Sequence, residues 1–206
     1  MRSVLNVGGG SRKIPIPEIY AGWLQVLLDI DPAGSPDIIM DAREMTKLPK
    51  NSYDAIYCSH NLEHYHRHDA ERVCRGFLHV LKPNGFADIR VPDVLGVMHA
   101  VVQRKLDLDD VLYVVDGLSP ILVRDVLFGY HVEIERTGND FFAHKTGFSM
   151  NTLGRMLVTC GFKTVHLGSD AALEIRAFAF KSEVTVEQAR TATGIPLTDS
   201  PRTTIG

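Results

Sequence analysis

The run VLNVGGGS at residues 4–11 constrains the fold of this chain most. Its apolar and β-branched residues predict a buried strand, and the three glycines that follow predict a tight turn. Because glycine has no Cβ, such a turn can take positive φ angles and let a ligand lie against backbone N–H groups. Open α/β sheets bind nucleotides at the carboxyl ends of their parallel strands. The sequence therefore predicts a ligand site at this turn.

The composition is that of an ordinary globular chain. Its 206 residues are 45% apolar and 23% charged, which suits one α/β domain with an insertion. A net charge of −3 gives no general attraction to nucleic acid or to an anionic membrane. No apolar run approaches the roughly 20 residues of a membrane helix. Since the first strand begins by about residue 4, we expect no signal peptide and a cytoplasmic protein.

The cysteines are few and widely spaced. Cys58, Cys74 and Cys160 are odd in number and form no CxxC pair. This usage favours buried, reduced thiols over a disulfide or a zinc site. We therefore expect no metal in the protein.

Alternating strand and helix patterns predict a doubly wound sheet. Five strands are expected in the first half of the chain, at residues 4–7, 23–28, 36–40, 52–58 and 86–91. An amphipathic helix over 70–81, with Asp69 as its N-cap, links the last two of these strands. Short links of this kind imply parallel pairing. Two further strands, at 164–167 and 173–180, form a predicted hairpin that makes the last strand antiparallel.

The pattern changes over residues 94–148, which we interpret as a helical lid inserted over the carboxyl edge of the sheet. One of its helices is expected to start at Ser119 and Pro120 and to stop at Gly129. After the lid, Ser149 caps a further helix. Residues 1–182 are thus expected to form a single domain, followed by a polar C-terminal tail at 183–206 in which Thr185 could cap a short helix.

Two carboxylates stand at predicted strand ends. Asp29 follows the second strand, about twenty residues after the glycine turn, where a carboxylate can accept hydrogen bonds from ribose hydroxyls. Asp41 ends the third strand, where it could accept a hydrogen bond from an adenine amino group. Either residue alone could be a turn aspartate, and we interpret Asp31 in that way.

The order of these motifs resembles that of a known family. The glycine run, LDID at 28–31, DAREM at 41–45, YDAIY at 53–57 and LKPNG at 81–85 are similar in order and spacing to class I S-adenosylmethionine (SAM)-dependent methyltransferases, in particular the small-molecule, type 11 branch. The resemblance covers most of residues 3–93. It implies a seven-stranded, mostly parallel Rossmann-like sheet with an antiparallel last strand, and SAM as cofactor.

The resemblance also implies which residues contact the cofactor. These are Asn6, Gly8, Gly9, Gly10, Asp29, Ile30, Asp41, Ala42, Ser59 and His60. The chain departs from the family at two positions of the glycine turn: Asn6 replaces the usual acid, and Arg12 replaces the usual last glycine. Arg12 indicates a loop of different shape around the methionine end of the cofactor.

The segment SHNLEH at 59–64 has two interpretations. It contains H-x-x-E-H, a zinc-protease signature, but that chemistry requires both histidines on one face of a continuous helix. A predicted strand ends directly before His60, so we favour the methyltransferase interpretation. There the segment flanks the methyl acceptor, and His60, or secondly His64, acts as general base. Alternatively, His60 only packs on the cofactor and His64 buttresses the following helix.

A polar and aromatic cluster near the end of the lid could line the acceptor pocket, or form only a loop surface. It comprises Tyr130, His131, Asp140, Phe141, Phe142, His144 and Lys145. The predicted function is methyl transfer from SAM to an unidentified small molecule, without nucleic acid or membrane as partner. Two alternatives remain at this point: a catalytically degenerate cofactor-binding subunit, and an NAD-dependent dehydrogenase. Lys13 stands where a dehydrogenase turn would have its last glycine.

Overall fold

The structure, a computed structural model, describes residues 1–115, 119–169 and 172–197. Its strands are β1 (Ser3–Val7), β2 (Leu24–Asp29), β3 (Ile38–Ile39), β4 (Tyr53–Ser59), β5 (Leu81–Pro92), β6 (Val111–Tyr113), β7 (Ile121–Leu122), β8 (Thr164–Ser169) and β9 (Glu174–Phe180). Its α-helices are α1 (Arg67–Val80), α2 (Val94–Arg104), α3 (Val123–Phe128), α4 (His131–Thr137), α5 (Met150–Cys160) and α6 (Val186–Thr193). None of the helices among these residues has the length and apolarity needed to cross a membrane.

Seven strands form the main sheet, in the order β3-β2-β1-β4-β5-β9-β8. The first five strands pair in parallel, whereas β9 runs antiparallel to both β5 and β8. This topology confirms the predicted Rossmann-like sheet with an antiparallel last strand. The carboxyl ends of β1, β2, β3 and β4 meet at one edge, so the motifs that follow these strands converge there.

Each face of the sheet carries its own apolar core. On one face, α1 and α5 bury Phe77 and Leu153 against Val7 and Ile56 of the central strands. On the other face, Tyr20 and α6 cover the strands, and Trp23 packs nearby. The links between β1 and β4 contain only 3-10 turns, at Glu18–Tyr20, Pro32–Gly34 and Ala42–Lys47. Proline interrupts the first two of these links, which explains why no α-helix forms in them.

The lid has a small core of its own. Val97, Leu112, Ile121, Val123 and Val126 pack together inside it. The insertion leaves and rejoins the body at one place, where Asp93 and Phe148 form a parallel β-bridge. The lid is thus tethered at both ends beside the carboxyl edge of the sheet.

Two predicted helix starts were wrong. The helix after β4 begins at Arg67 with His66 as its N-cap, while Asp69 lies in the first turn and pairs with Arg43 at 3.3 Å. The lid helix expected from Ser119 begins instead at Val123. There the Asp125 carboxylate accepts a 2.8 Å hydrogen bond from the N–H of Leu122, which ends β7 and caps the helix.

The segment 183–206, expected as a polar tail, contains the folded helix α6. Thr185 caps this helix and accepts a hydrogen bond from the N–H of Gln188. Ala189 and Leu197 are buried against the sheet because α6 covers the face that the 3-10 links leave open. Residues 198–206 lie outside the described residues.

Candidate functional site

The glycine turn and the tip of β2 are joined by a hydrogen bond. Gly8 and Gly10 have φ angles of 70° and 64°, as the glycine run predicts. The N–H of Gly10 donates to Asp29 Oδ2 at 2.8 Å, and the N–H of Asp31 donates to Asp29 Oδ1 at 2.9 Å. The Asp29 side chain is therefore fixed at the end of β2, where one lone pair on each carboxylate oxygen is still available for a ligand.

Two asparagines fill the space around the turn. A Cβ on Gly9 would lie 2.2 Å from Nδ2 of Asn6, so only glycine allows the buried Asn6 amide to sit beneath the turn. A Cβ on Gly8 would lie 2.0 Å from Nδ2 of Asn61. We expected bare main chain above Gly8, but the Asn61 side chain lies there. A ligand at this edge would therefore contact Asn61 as well as the turn.

Arg12 points away from this edge. Its guanidinium forms an ion pair with Asp37 and donates to the carbonyl of Gln25 at 3.3 Å. Asp37 also accepts a 2.7 Å hydrogen bond from the N–H of Leu27. Arg12 thus fastens the link after β1 to strands β2 and β3, which explains how the turn forms without the family's last glycine.

Asp41 starts the 3-10 turn after β3. It accepts hydrogen bonds from the backbone N–H of Arg43 at 2.9 Å and from the Arg43 guanidinium at 2.6 Å. Partial burial acts to raise the pKa of Asp41, but these bonds and the charge of Arg43 outweigh it and hold the pKa below its usual value. Asp41 is therefore ionised at the tip of β3, and Arg43 donates to both of its oxygens.

A cavity of about 140 Å³ joins these elements to the lid. It is lined by Ile30, Asp41, Arg43, Asn61, His64, Tyr65, His66, Asp69, Phe141 and Lys145. Sites for whole small molecules usually measure roughly 300–1,000 Å³. This cavity alone is therefore smaller than a site for a whole small molecule.

His60 lies between two carboxylates directly after β4. Its Nε2 lies 2.9 Å from Glu174 and its Nδ1 3.3 Å from Glu63. Burial acts to lower the pKa of His60, but the two carboxylates outweigh it and raise the pKa to about 10. His60 is therefore an imidazolium at neutral pH.

The zinc-protease interpretation needs a continuous helix over residues 60–64. His60 instead has a φ of 48°, and Leu62–His64 form a 3-10 turn.

Glu63 and His64 meet a lid residue that sequence analysis did not connect with them. The donor atoms of Glu63, His64 and His144 lie within 4.8 Å of one another. The backbone carbonyl of Glu63 also accepts hydrogen bonds from the N–H groups of Lys145 and Thr146, at 2.8 and 3.2 Å. The end of the lid is thus fastened to the turn after β4. His144 was noted only as part of the polar and aromatic cluster.

Other members of that cluster have different positions. Phe141 and Lys145 line the cavity, and Asp140 pairs with Lys145 at 3.4 Å. His131 forms an ion pair with Asp125, and Tyr130 packs on the core of the lid. The structure therefore brings only part of the cluster to the site.

Among the residues assigned from the resemblance, the structure brings most to one edge. Asn6 lies in β1 and the three glycines form the turn after it, Asp29 ends β2 and Ile30 follows it, Asp41 and Ala42 follow β3, and Ser59 ends β4 with His60 directly after it. Ile30 and Asp41 also line the cavity.

Comparison with known proteins finds a family match for part of the chain. Residues 27–88 match the family described as methyltransferase domain. The match indicates a methyltransferase. No curated protein matches this chain. The dehydrogenase and degenerate-subunit alternatives gain no support from the family match.

Solved structures share the fold of this chain. A SAM-dependent methyltransferase from Archaeoglobus fulgidus is 15% identical, with a TM-score of 0.54 over 87% of this chain and 86% of that chain. The 1,6-didemethyltoxoflavin-N1-methyltransferase of Burkholderia thailandensis, solved with its substrate and S-adenosylhomocysteine, is 13% identical. Its TM-score is 0.53 over 88% of this chain and 71% of that chain. These likenesses show that this chain has the fold of the two methyltransferases.

Proposed function

We propose that this protein is a SAM-dependent methyltransferase that acts on a small-molecule acceptor bound between the carboxyl edge of the sheet and the lid. One observation carries the proposal: the same cavity is lined by Ile30 and Asp41 at the strand tips and by Phe141 and Lys145 of the lid. A cavity lined by side chains from both sides suits a small acceptor better than a folded macromolecule. The net charge of −3 agrees, since nucleic-acid sites are usually basic.

In this proposal, the strand tips hold the cofactor. Asp29 accepts hydrogen bonds from the ribose hydroxyls, and Asp41 accepts from the adenine amino group. The N–H groups of the glycine turn face the methionine end, and Ile30 and Ala42 pack against the base. The bound sulfonium supplies the methyl group: the acceptor lone pair forms the new bond to carbon, and the electrons of the broken C–S bond go to sulfur.

Two histidines have different roles in the proposal. Because the pKa of His60 is raised to about 10, His60 holds a proton and no lone pair at neutral pH. It forms ion pairs with Glu63 and Glu174 and so positions both carboxylates. His64 lines the cavity, and its neutral form carries a lone pair on Nε2, because its Nδ1 donates to a carbonyl. His64 is therefore the basic residue available to an acidic acceptor.

We further propose that the reaction takes place in the cytoplasm. Cys58, Cys74 and Cys160 are buried free thiols, as expected for a reducing compartment.

A transfer assay tests the proposed function. SAM with a labelled methyl group is offered with small hydroxyl, amine and thiol acceptors, and separately with protein and RNA fractions. We expect label in at least one small-molecule class. Label found only in protein or RNA would overturn the small-molecule proposal.

A further inference from the structure

The cluster of Glu63, His64 and His144 lies between the body of the protein and its lid. Glu63 and His64 belong to the 3-10 turn after β4, and His144 lies near the end of the lid. Their donor atoms approach one another to within 4.8 Å, and the imidazole centroids of His64 and His144 are 5.0 Å apart. The three side chains therefore converge on one point.

Both imidazoles have a fixed tautomer. His64 Nδ1 lies 3.2 Å from the carbonyl oxygen of Ala143, and His144 Nδ1 lies 2.9 Å from that of Val126. A carbonyl oxygen can only accept, so each Nδ1 carries the donated hydrogen. In the neutral ring each Nε2 then carries a lone pair. Metal-binding histidines are held in the same way, with the second ring nitrogen donating to a backbone carbonyl.

The Glu63 carboxylate lacks the partners that a buried charge requires. Glu63 is 1% exposed, and neither of its carboxylate oxygens accepts a hydrogen bond from the described residues. Its one close charge is Nδ1 of His60, at 3.3 Å. His60 pairs with Oε1 alone, so Oε2 has no partner among the described residues, and a cation beside the two Nε2 lone pairs would compensate it.

We propose that Glu63, His64 and His144 bind one divalent transition-metal ion. Two imidazole nitrogens and one carboxylate suit zinc, manganese or iron(II), whereas magnesium and calcium prefer oxygen ligands. Three protein ligands leave a coordination position open. His64 lines the cavity, so the open position lies on that side. His60 keeps Glu174 as partner when Glu63 binds the ion.

The metal site implies a chemical class of methyl acceptor, and this inference rests on the proposed function. The acceptor is an oxygen acid: its hydroxyl binds the ion, loses its proton to solvent, and directs a remaining lone pair at the methyl carbon. The metal lowers the pKa of the bound hydroxyl, so it replaces His64 as the group that promotes deprotonation. Because His144 comes from the lid, the same ion ties the lid to the body.

Metal titration of the full chain tests the site without any turnover. Protein stripped with EDTA is titrated with Co²⁺, followed by visible absorption, and with Zn²⁺, followed by calorimetry. We expect one ion per chain. Glu63→Gln and His144→Gln should each weaken binding by about 100-fold or more, since loss of a supporting contact alone costs 10- to 100-fold. His68→Gln is the control, because His68 lies on the exposed first turn of α1.

Thermal unfolding separates a lost ligand from a damaged fold. In EDTA, Glu63→Gln should unfold near the wild-type temperature, because His60 keeps Glu174 as its partner. With Zn²⁺, only the wild type and His68→Gln should gain stability. No stoichiometric ion in the wild type, or equal binding by wild type and Glu63→Gln, would overturn the site.

Titration with S-adenosylhomocysteine on the same samples keeps the two proposals apart. Metal binding without binding of S-adenosylhomocysteine would leave the metal site standing and overturn its role in methyl transfer. Binding of S-adenosylhomocysteine without metal would overturn the metal site alone.

Discussion

The carboxylate of Asp29 accepts a 2.8 Å hydrogen bond from the backbone N–H of Gly10. This bond joins the tips of β1 and β2, the two places where the cofactor is expected to be held. Asp29 therefore shapes the glycine turn and offers its remaining lone pairs to the ligand. Several consequences of this arrangement can be measured.

Substitution of Gly8 should destabilise the protein by more than the cost of its strained backbone alone. An alanine there adopts a φ of 70°, which costs about 1–2 kcal/mol. Its Cβ would also meet the Asn61 amide at 2.0 Å and displace it. We expect Gly8→Ala to lower the free energy of unfolding and to weaken S-adenosylhomocysteine binding by about tenfold or more.

Gly22 provides the matched control for that substitution. Its φ is 78°, and a Cβ there would meet no atom within 4 Å. Gly22→Ala should therefore show the backbone cost in urea unfolding and leave ligand affinity unchanged. Equal loss of affinity in both variants would contradict a specific role for the Gly8 turn.

The ion pair between Asp88 and Arg176 should matter for stability. Asp88 is fully buried in β5, and Arg176 of β9 donates two hydrogen bonds to it, at 2.9 and 2.8 Å. Asp88→Ala leaves the Arg176 guanidinium without this carboxylate. Because Arg176 is partly exposed, water can solvate it in part, and we expect the free energy of unfolding in urea to fall by about 3 kcal/mol. The double variant with Arg176→Leu should recover part of this loss. A double variant no more stable than Asp88→Ala would refute the explanation.

Asp54 should make stability depend on pH in the acid range. It accepts hydrogen bonds from the N–H of Ser3 at 2.9 Å and from Lys82 at 2.8 Å. Burial acts to raise the pKa of Asp54, but these partners outweigh it and lower the pKa below 3.8. A depressed folded-state pKa stabilises the protein above the unfolded pKa, and this stabilisation is lost as the pH falls through the folded value.

Urea unfolding of Asp54→Asn at several pH values checks this sign. The variant should be less stable than the wild type at about pH 6, and the difference should shrink towards about pH 3. A difference that stays constant over this range would show that the Asp54 carboxylate is not the titrating group.

Much of the fold follows from local signals in the sequence. The glycine run, the strand patterns and the capping residues Ser149 and Thr185 each act within a few residues, and the structure places them as predicted. The start of α3 was missed because it depends on the pairing of β6 and β7, which positions Asp125. Such pairing is set by tertiary contacts rather than by local pattern.

The site was predictable only in part, for a related reason. Asp29 and Asp41 follow strands, so parallel topology alone brings them together. By contrast, the proximity of His144 to Glu63 depends on how the lid returns to the body. The charge on His60 depends on Glu174 of β9, which comes late in the chain. Neither contact has a spacing that a sequence pattern could reveal.

The most direct test of the account is calorimetric titration of S-adenosylhomocysteine into the wild type, Asp29→Asn and Asp31→Asn. Asp31 is the matched control, since its carboxylate accepts a hydrogen bond from the N–H of Ala33 in the next turn. The account predicts binding by the wild type and Asp31→Asn, and affinity about 10–100-fold lower for Asp29→Asn, which loses the charged acceptor. An equal dissociation constant for wild type and Asp29→Asn would contradict it.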